Sequence, residues 1–306
     1  MLGDIIFYSV RYIVLFISEI QYHQSTVQYN SNSSMIYLVK HADTDAGRRF
    51  IAATEEVVVS STRRDVAFDC EGVNLSRIGS LELISICFSS MEVFLLDVAA
   101  KPNLSDPTIL KSLKDLFEST KVKKIIHDCK KDADALYHIL GIKLTNVHDT
   151  SCYHNTITCD DENKNLNYVL SYNNIDTNTV RNTSVYKTNP AFWATRPITK
   201  TMIEWASSDV DKLFHLASKQ LKGVNNFQEA ATEDRTFRWL SVRDMKVAST
   251  GLIVDRPGLF IGRRGANIRR VEKQTNTRIC KDNYENWYVY YWDQTSLDSV
   301  KRSMAM

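Results

Sequence analysis

The sequence predicts an α/β protein with a mixed sheet flanked by helices, followed by a smaller α+β unit. Apolar runs closed by turns give three successive strands, after which strands and helices alternate up to residue 222. Beyond residue 243 the pattern changes to β-α-α-β-β-α. Residues 1–234 carry 24 Lys and Arg against 29 Asp and Glu, whereas residues 235–306 carry 14 against 7. An acidic body with a basic C-terminal quarter is typical of a nucleic-acid-binding protein.

Length and composition fit this fold class. The chain has 306 residues, of which 43% are hydrophobic and 24% charged. These values exclude disordered, collagen-like and multi-span membrane proteins, and the length fits two domains. We predict an extension over 1–34, a first domain over 35–222, a linker over 223–242 and a second domain over 243–306.

Each element of the first domain follows from hydrophobic periodicity. The segment from Pro107 to Ser119, for example, has apolar residues at helical spacing, and Gly141 ends another helix. The predicted strands are Met35–Val39, Val66–Asp69, Leu81–Ser89, Val93–Val98, Lys123–His127 and Asn146–Asp149. The predicted helices are Gly47–Thr54, Pro107–Ser119, Lys131–Leu140, Thr150–Ile157, Leu166–Leu170 and Thr199–Gln220. The intervening stretch 160–189 is rich in Asn and Asp and is expected to be a loop region around one short helix.

The second unit has a similarly readable pattern. Two short helices flank a turn with two glycines, Gly262-Arg263-Arg264-Gly265. The predicted strands are Val247–Val254, Thr277–Cys280 and Trp287–Trp292, and the helices are Gly258–Ile261, Ala266–Gln274 and Thr295–Met304. In the last strand, alternation is expected to bury about half of the aromatic side chains as sheet core.

Two segments leave alternatives open. Residues 5–17 are apolar but too short to span a bilayer easily and contain Arg11, so a packed or partly disordered extension is favoured over a membrane anchor. His148, Cys152, His154 and Cys159 are able to bind zinc, yet their spacing matches no standard finger, which favours ordinary helix and loop residues. None of the six cysteines forms a CxxC pair, so we expect a reducing compartment, cytoplasmic or nuclear.

Carboxylates mark the candidate active site. Asp69 and Glu71 end a buried strand and, being two residues apart, point to the same face. Two adjacent carboxylates repel unless a cation joins them, and hard oxygen ligands suit Mg²⁺ or Mn²⁺. Asp132 follows at a strand-to-helix junction. Trp205 and Asp209 share one face of a helix. Four such acids can surround two metal ions and support phosphodiester hydrolysis.

The stretches around these acids resemble a known family. VAFDCEGVNLSRIGSLELISICF, KKIIHDCKKDADALYHILGIKLTNVHDT and NPAFWATRPITKTMIEWASSDVDKLFHLA are similar, in this order, to the DEDD superfamily of 3′-5′ exonucleases. The similarity is greatest to the RNase D-like group and its Egalitarian-related proteins. It implies a ribonuclease H-like fold in which two Mg²⁺ or Mn²⁺ ions are held by Asp69, Glu71, Asp132 and Asp209. It leaves Asp128 as a helix cap, Asp134 as a bystander and Asp149 as the residue that orients the next strand-to-helix turn. Trp193 and Arg196 match the family pattern and are expected to pack their loop on the core.

One position departs from the family. RNase D-type active sites carry Tyr four residues before the last Asp, where its hydroxyl positions the attacking water, and this chain has Trp205 there. An indole N–H donates a hydrogen bond but does not accept a proton. Trp205 therefore belongs to the predicted catalytic set, and an alternative function is an RNA-binding adaptor that uses the exonuclease fold as a scaffold.

The turn with two glycines resembles the GxxG loop of a K homology (KH) domain. That resemblance implies a clamp for about four nucleotides of single-stranded nucleic acid. The predicted binding residues are Gly262, Arg263, Arg264, Gly265, Arg269 and Arg270. Lys130 and Lys131 are expected near the active-site mouth, where they either steer phosphates or form a solvated pair.

The sequence thus predicts a 3′-5′ exonuclease that acts on single-stranded nucleic acid, RNA rather than DNA, with KH-mediated binding. A membrane partner is not expected.

Overall fold

A computed structural model describes residues 29–31, 34–60, 62, 64–89, 92–98, 106–249, 256–282 and 284–304. The strands are β1 (Tyr29–Ser31), β2 (Ser34–Val39), β3 (Asp65–Glu71), β4 (Leu83–Phe88), β5 (Glu92–Asp97), β6 (Lys123–Ile126), β7 (Val147–Asp149), β8 (Lys246–Ser249), β9 (Arg278–Lys281) and β10 (Trp287–Tyr291). The helices are α1 (Asp45–Val59), α2 (Pro107–Glu118), α3 (Lys130–Leu140), α4 (Thr150–Thr158), α5 (Leu166–Tyr172), α6 (Val185–Thr188), α7 (Lys200–Val210), α8 (Leu213–Lys222), α9 (Asn226–Leu240), α10 (Pro257–Ile261), α11 (Ala266–Thr275) and α12 (Gln294–Met304).

The first seven strands form one mixed sheet in the order β1-β2-β5-β4-β3-β6-β7. β3, β4 and β5 pair antiparallel, as the predicted hairpin requires, whereas β6 runs parallel to both β3 and β7. Helices cover both faces because both faces of the central strands are apolar; all six residues of β4 are buried. The predicted fold class, a mixed sheet flanked by helices, is confirmed.

Two core clusters lie on opposite faces of this sheet. Along β3, Phe68 belongs to the cluster under α1, α2 and α3, while its neighbour Ala67 belongs to the cluster under α5, α7 and α8. The alternation of side chains along a strand explains the division. Asp69 and Glu71 follow Ala67 at intervals of two and therefore lie on the α7 face.

The predicted helix Thr199–Gln220 is wrong as a single helix. α7 ends at Val210 and α8 starts at Leu213, with a turn at residues 211–212. Both helices bury their apolar side chains in the same core cluster. The hydrophobic period therefore continues through the break, so the sequence pattern does not show where the first helix ends.

The stretch predicted to be a linker or a short connecting helix contains α9, a helix of 15 residues. Its last turn places Trp239 and Leu240 in the core cluster under α3. The ammonium group of Lys130 lies 3.5 Å from the centre of the Trp239 ring. The segment therefore packs on the first unit.

The C-terminal unit has the predicted element order β-α-α-β-β-α, with a three-stranded antiparallel sheet in the order β8-β10-β9. Its core contains Trp287, Val289, Leu297 and Val300. Trp287 and Tyr290 are buried, but on opposite faces of β10, because they are three residues apart. Trp287 belongs to this core, whereas Tyr290 packs with Val242 and Met245. About half of the aromatic run is thus buried, although alternation on one face does not explain Tyr290. Residues 250–255, the end of the predicted strand Val247–Val254, lie outside the described residues, as does the apolar segment 5–17.

Arg77 ties the two units together. Its guanidinium pairs with buried Asp134, with 2.5 Å between Nη2 and Oδ1, and also donates to the carbonyls of Val242, Arg243 and Met245. It lies 5.3 Å from the ring centre of Tyr290 in β10. Asp134 thus has a structural partner.

Lys124 gives the fold a measurable pH dependence. Its side chain is fully buried in β6, where Nζ donates to the carbonyls of Ser119 and Val122. Burial disfavours the charged ammonium and lowers its pKa from 10.5 to about 7. Above pH 7, the unfolded chain binds a proton here that the folded chain has released.

We therefore expect the free energy of unfolding to rise with pH between 7 and 9, by up to about 1.4 kcal/mol per pH unit from this group. Lys124→Met should remove that contribution, and Lys121→Met, at an exposed position, should retain it. Urea denaturation at several pH values measures the difference. Parallel pH profiles for wild type and Lys124→Met would contradict the assignment.

Candidate metal centre

The site forms where the end of β3 meets α7. β3 presents Asp69 and Glu71 on its α7 face, and α7 contributes buried Asp209. One ligand oxygen from each of these acids lies within 4.8 Å of the other two, and no other such group of His, Cys, Asp or Glu occurs in the described part of the chain. The structure thus brings together three of the four predicted acids.

The fourth predicted acid, Asp132, lies beside this group but is turned toward the backbone. It is buried near the start of α3, and its Oδ1 accepts a hydrogen bond of 3.0 Å from the amide of Cys70, the residue between Asp69 and Glu71. Its negative charge still acts on the cluster and raises the pKa of Asp69. Asp132 therefore borders the three-acid group without joining it.

The pKa values of Asp69, Glu71 and Asp132 are raised in this site. Burial is the first cause that raises the pKa of Asp69 and Glu71 well above the ordinary carboxylate range, and the negative charges of neighbouring acids follow. Burial also raises the pKa of Asp132 to about 7. Carboxylate oxygens held this close fit a hard divalent cation such as Mg²⁺ or Mn²⁺. The residues present therefore suit a metal of that class.

Asp209 is fixed by three donors. Trp205 Nε1 donates to Oδ2 at 2.9 Å and Arg181 Nη1 donates to the same oxygen at 2.6 Å. Asn178 Nδ2 donates to Oδ1 at 3.0 Å. Asn178 and Arg181 were not predicted as site residues, because both lie in the polar stretch predicted as a loop. A single arginine in an otherwise Asn- and Thr-rich run, residues 176–184, is the only sequence signal.

Several predicted neighbours have structural partners. Asp149 caps α4 through the amides of Ser151 and Cys152, as expected, and also accepts from the amide of Cys129. The prediction that Asp128 caps α3 is wrong, because Cys129 is the N-cap residue and no side chain accepts a capping hydrogen bond there. The amide of Asp128 itself donates to Asp149. Asp128 instead pairs with Lys130.

The two lysines predicted near the site differ in their side-chain contacts and exposure. Lys130 is engaged by Asp128 and the Trp239 ring, whereas Lys131 is exposed. Trp193 is buried, and Arg196 donates to its carbonyl and pairs with Asp97 at 2.6 Å, so this loop packs on the core as predicted.

The zinc alternative finds no geometric support among the described residues. Its four members, His148, Cys152, His154 and Cys159, do not form a ligand group. His148 instead stacks on Tyr153 and contacts Gln220.

Comparison with known proteins supports the family assignment. A family model described as 3′-5′ exonuclease matches residues 44–224, more than half of the chain. The chain belongs to this 3′-5′ exonuclease family. Its N-terminal unit, with Asp69, Glu71 and Asp209 inside the matched region, is the exonuclease domain.

Individual relatives match over shorter regions. The Egalitarian protein homolog of Caenorhabditis elegans is 31% identical over 107 residues, 34% of this chain and 18% of that protein. The piRNA biogenesis protein EXD1 of Mus musculus is 35% identical over 80 residues, 26% of this chain and 13% of that protein. The matches thus span less than a fifth of either relative. Trypanosoma brucei RNase D, solved in complex with RNA U12, shares the fold with a TM-score of 0.54 and 22% identity, covering 68% of this chain and 70% of that one.

Trp205, at the position where the sequence resemblance predicts Tyr, is only 1% exposed. The ring packs among Tyr186, Phe192 and Trp193, with centroid distances of 5.4 to 6.0 Å. Its N–H is directed to Asp209. In this exonuclease domain, the residue therefore holds an acid in place and has no second polar atom with which to orient water.

Trp205→Phe tests this contact, because it removes the N–H and keeps an aromatic ring. We expect the free energy of unfolding to fall by about 1–3 kcal/mol, since a hydrogen bond to a charged group and some packing are lost. In an Asp209→Asn background, the same change should cost about 1 kcal/mol less, because the charged acceptor is absent. Chemical denaturation in EDTA measures all four proteins. Equal costs in the two backgrounds would show that the indole acts by packing alone.

Proposed function

We propose that this protein is a metal-dependent 3′-5′ exonuclease that removes nucleoside 5′-monophosphates from the 3′ end of single-stranded RNA. The observation that carries the proposal is the convergence of Asp69, Glu71 and Asp209 on one point of an exonuclease-family fold. Carboxylates at such separations are the usual ligands of hydrolytic Mg²⁺ or Mn²⁺ centres.

Each acid has a defined part in the proposed reaction. Asp69, Glu71 and Asp209 would hold the ions, and Asp132 would complete the set by releasing its hydrogen bond with the Cys70 amide. When bound, two divalent ions activate a water molecule and stabilise the leaving 3′ oxygen. Trp205 and Asn178 keep the Asp209 carboxylate oriented through their N–H donors.

RNA is the proposed substrate on two grounds. One is that the matched relatives have names or structures tied to RNA: a piRNA biogenesis protein and an RNase D in complex with RNA U12. The other is the C-terminal unit, which we propose to be a KH domain. Its β-α-α-β-β-α order and its turn with two glycines between short helices support that proposal.

The geometry of this turn fits a nucleic-acid clamp. Gly262 and Gly265 have φ values of +74° and +75°, which favour glycine, and a Cβ on Gly262 would come within 2.7 Å of Asn267. Arg263, Arg264 and Arg270 are exposed. Because glycine has no side chain, a nucleic-acid backbone is able to approach this turn closely, and the exposed arginines beside it attract phosphates. Lys131 is the remaining candidate to steer phosphates at the exonuclease domain.

The proposed compartment is reducing, either cytoplasm or nucleus. All six cysteines are free thiols. Among the described residues, no helix has the length and apolar character needed to cross a bilayer.

A second candidate function is an RNA-binding adaptor with an idle exonuclease fold. It is favoured by Trp205, whose only N–H is committed to Asp209. In this case the KH unit would bind RNA and the acid cluster would have no turnover.

A gel assay on 5′-labelled RNA separates the two functions. We expect wild-type protein to give a one-nucleotide ladder in Mn²⁺ or Mg²⁺ and none in EDTA, and Asp69→Asn to lose at least 10²-fold in rate, on the order of what one catalytic group contributes. Asp115→Asn, an exposed acid paired with Lys111, is the matched control. An intact substrate in every metal, together with retained RNA binding, would establish the adaptor instead.

The KH proposal has its own test. Substituting the glycines would strain a backbone with positive φ, so the better variant is Arg263→Asp with Arg264→Asp, which reverses charge at exposed positions. We expect the affinity for single-stranded RNA to fall at least tenfold, with a shallower salt dependence. Lys301→Asp with Arg302→Asp makes the same change of net charge on α12. If both pairs weaken binding equally, general charge rather than the turn explains the affinity.

A further inference from the structure

The acidic cluster already contains a cation supplied by the chain. Arg181 Nη1 lies 2.6 Å from Asp209 Oδ2, and the carboxylate side chain is only 1% exposed. The guanidinium charge also acts on Asp69 and Glu71, where it lowers pKa values that burial raises. Arg181 therefore compensates negative charge in the place where a metal would do so.

Hydrogen-bond capacity limits what Asp209 is able to offer a metal. An ionised carboxylate has about four acceptor sites, two on each oxygen. Arg181 and Trp205 take both sites on Oδ2, and Asn178 takes one on Oδ1. A metal that needs Oδ2 must therefore displace a donor. The indole is packed among aromatic rings, whereas the arginine side chain is 27% exposed and ends a flexible stem.

The loop that carries Arg181 is held independently of its side chain. Asn178 accepts hydrogen bonds from the amides of Val180 and Arg181, and its own amide group donates to the carbonyl of Trp205. The guanidinium can consequently leave Asp209 by rotation about side-chain bonds, with the backbone unchanged.

We propose that Arg181 is a built-in counter-ion of the acidic cluster that competes with divalent cations for Asp209. It offsets part of the negative charge of the cluster in the metal-free protein and moves away from Oδ2 when a metal binds. The inference rests on the proposed function in that the cluster is taken to hold a metal. It adds that metal affinity is set partly by a residue outside the ligand set.

The sign of the effect follows from charge. With Asp69, Glu71 and Asp209 ionised, the group carries three negative charges, and Arg181 offsets one of them. A divalent ion that enters is repelled by the guanidinium, and an ion that binds Oδ2 must also replace the ion pair. Removing the positive charge should therefore tighten metal binding, whereas removing a ligand should weaken it.

The test is a Mn²⁺ titration without RNA, by calorimetry or by electron paramagnetic resonance of free Mn²⁺. Arg181→Gln should bind Mn²⁺ about tenfold or more tightly than wild type, and should gain more in thermal midpoint when Mn²⁺ is added. Arg181→Met, which also lacks the charge, replaces it if Arg181→Gln does not fold. Arg235→Gln is the matched control, because this arginine is also 27% exposed and pairs with another acid, Asp161.

Unchanged or weaker Mn²⁺ binding in the neutral variants would overturn the counter-ion proposal. It would leave the proposed exonuclease function standing, because wild-type binding and the RNA ladder are measured separately. Failure of both wild type and Arg181→Gln to bind Mn²⁺ would overturn the metal centre together with this inference.

Discussion

Mutual repulsion among carboxylates at the junction of β3 and α7 is the constraint on which the rest of the site depends. Asp69 and Glu71 come from one strand and Asp209 from a helix packed on it, with ligand oxygens within 4.8 Å of each other. Burial raises the pKa of Asp69 and of Glu71, and the negative charges of neighbouring acids add to this effect. Three hydrogen-bond donors compensate this negative charge at Asp209: an arginine, an indole N–H and a side-chain amide.

The sheet makes this crowding possible because it holds the strand that carries Asp69 and Glu71 in place despite their repulsion. β3 lies between β4 and β6, and both of its faces are packed by separate core clusters. The C-terminal unit is attached nearby, since Arg77, six residues after Glu71, pairs with Asp134 and contacts the segment before β8. A basic turn with two glycines is thereby carried on the same body as the acidic cluster. The proposed function, in which one unit grips a strand and the other cuts it, would use this arrangement.

Local patterns predicted much of this molecule. The alternation along β3 correctly placed Asp69 and Glu71 on one face, and helical spacing put Trp205 and Asp209 together. The break between α7 and α8 was missed because both helices face one core, so that their apolar period is continuous. Arg181 and Asn178 were missed for a different reason. Their roles depend on a contact with α7 about 30 residues away, and an irregular loop has no period from which to infer it. The position of Asp132 was not predictable for the same reason, because its hydrogen bond with the Cys70 amide depends on how α3 packs against β3.

Anomalous diffraction from crystals of the protein soaked in Mn²⁺ would show directly whether the acids bind a metal. We expect a manganese peak bounded by Asp69, Glu71 and Asp209, with the guanidinium of Arg181 displaced from Asp209 Oδ2. Crystals of Asp69→Asn, soaked in the same way, should show no such peak. A saturating soak that leaves Arg181 paired with Asp209 and gives no peak at the acids would contradict the account.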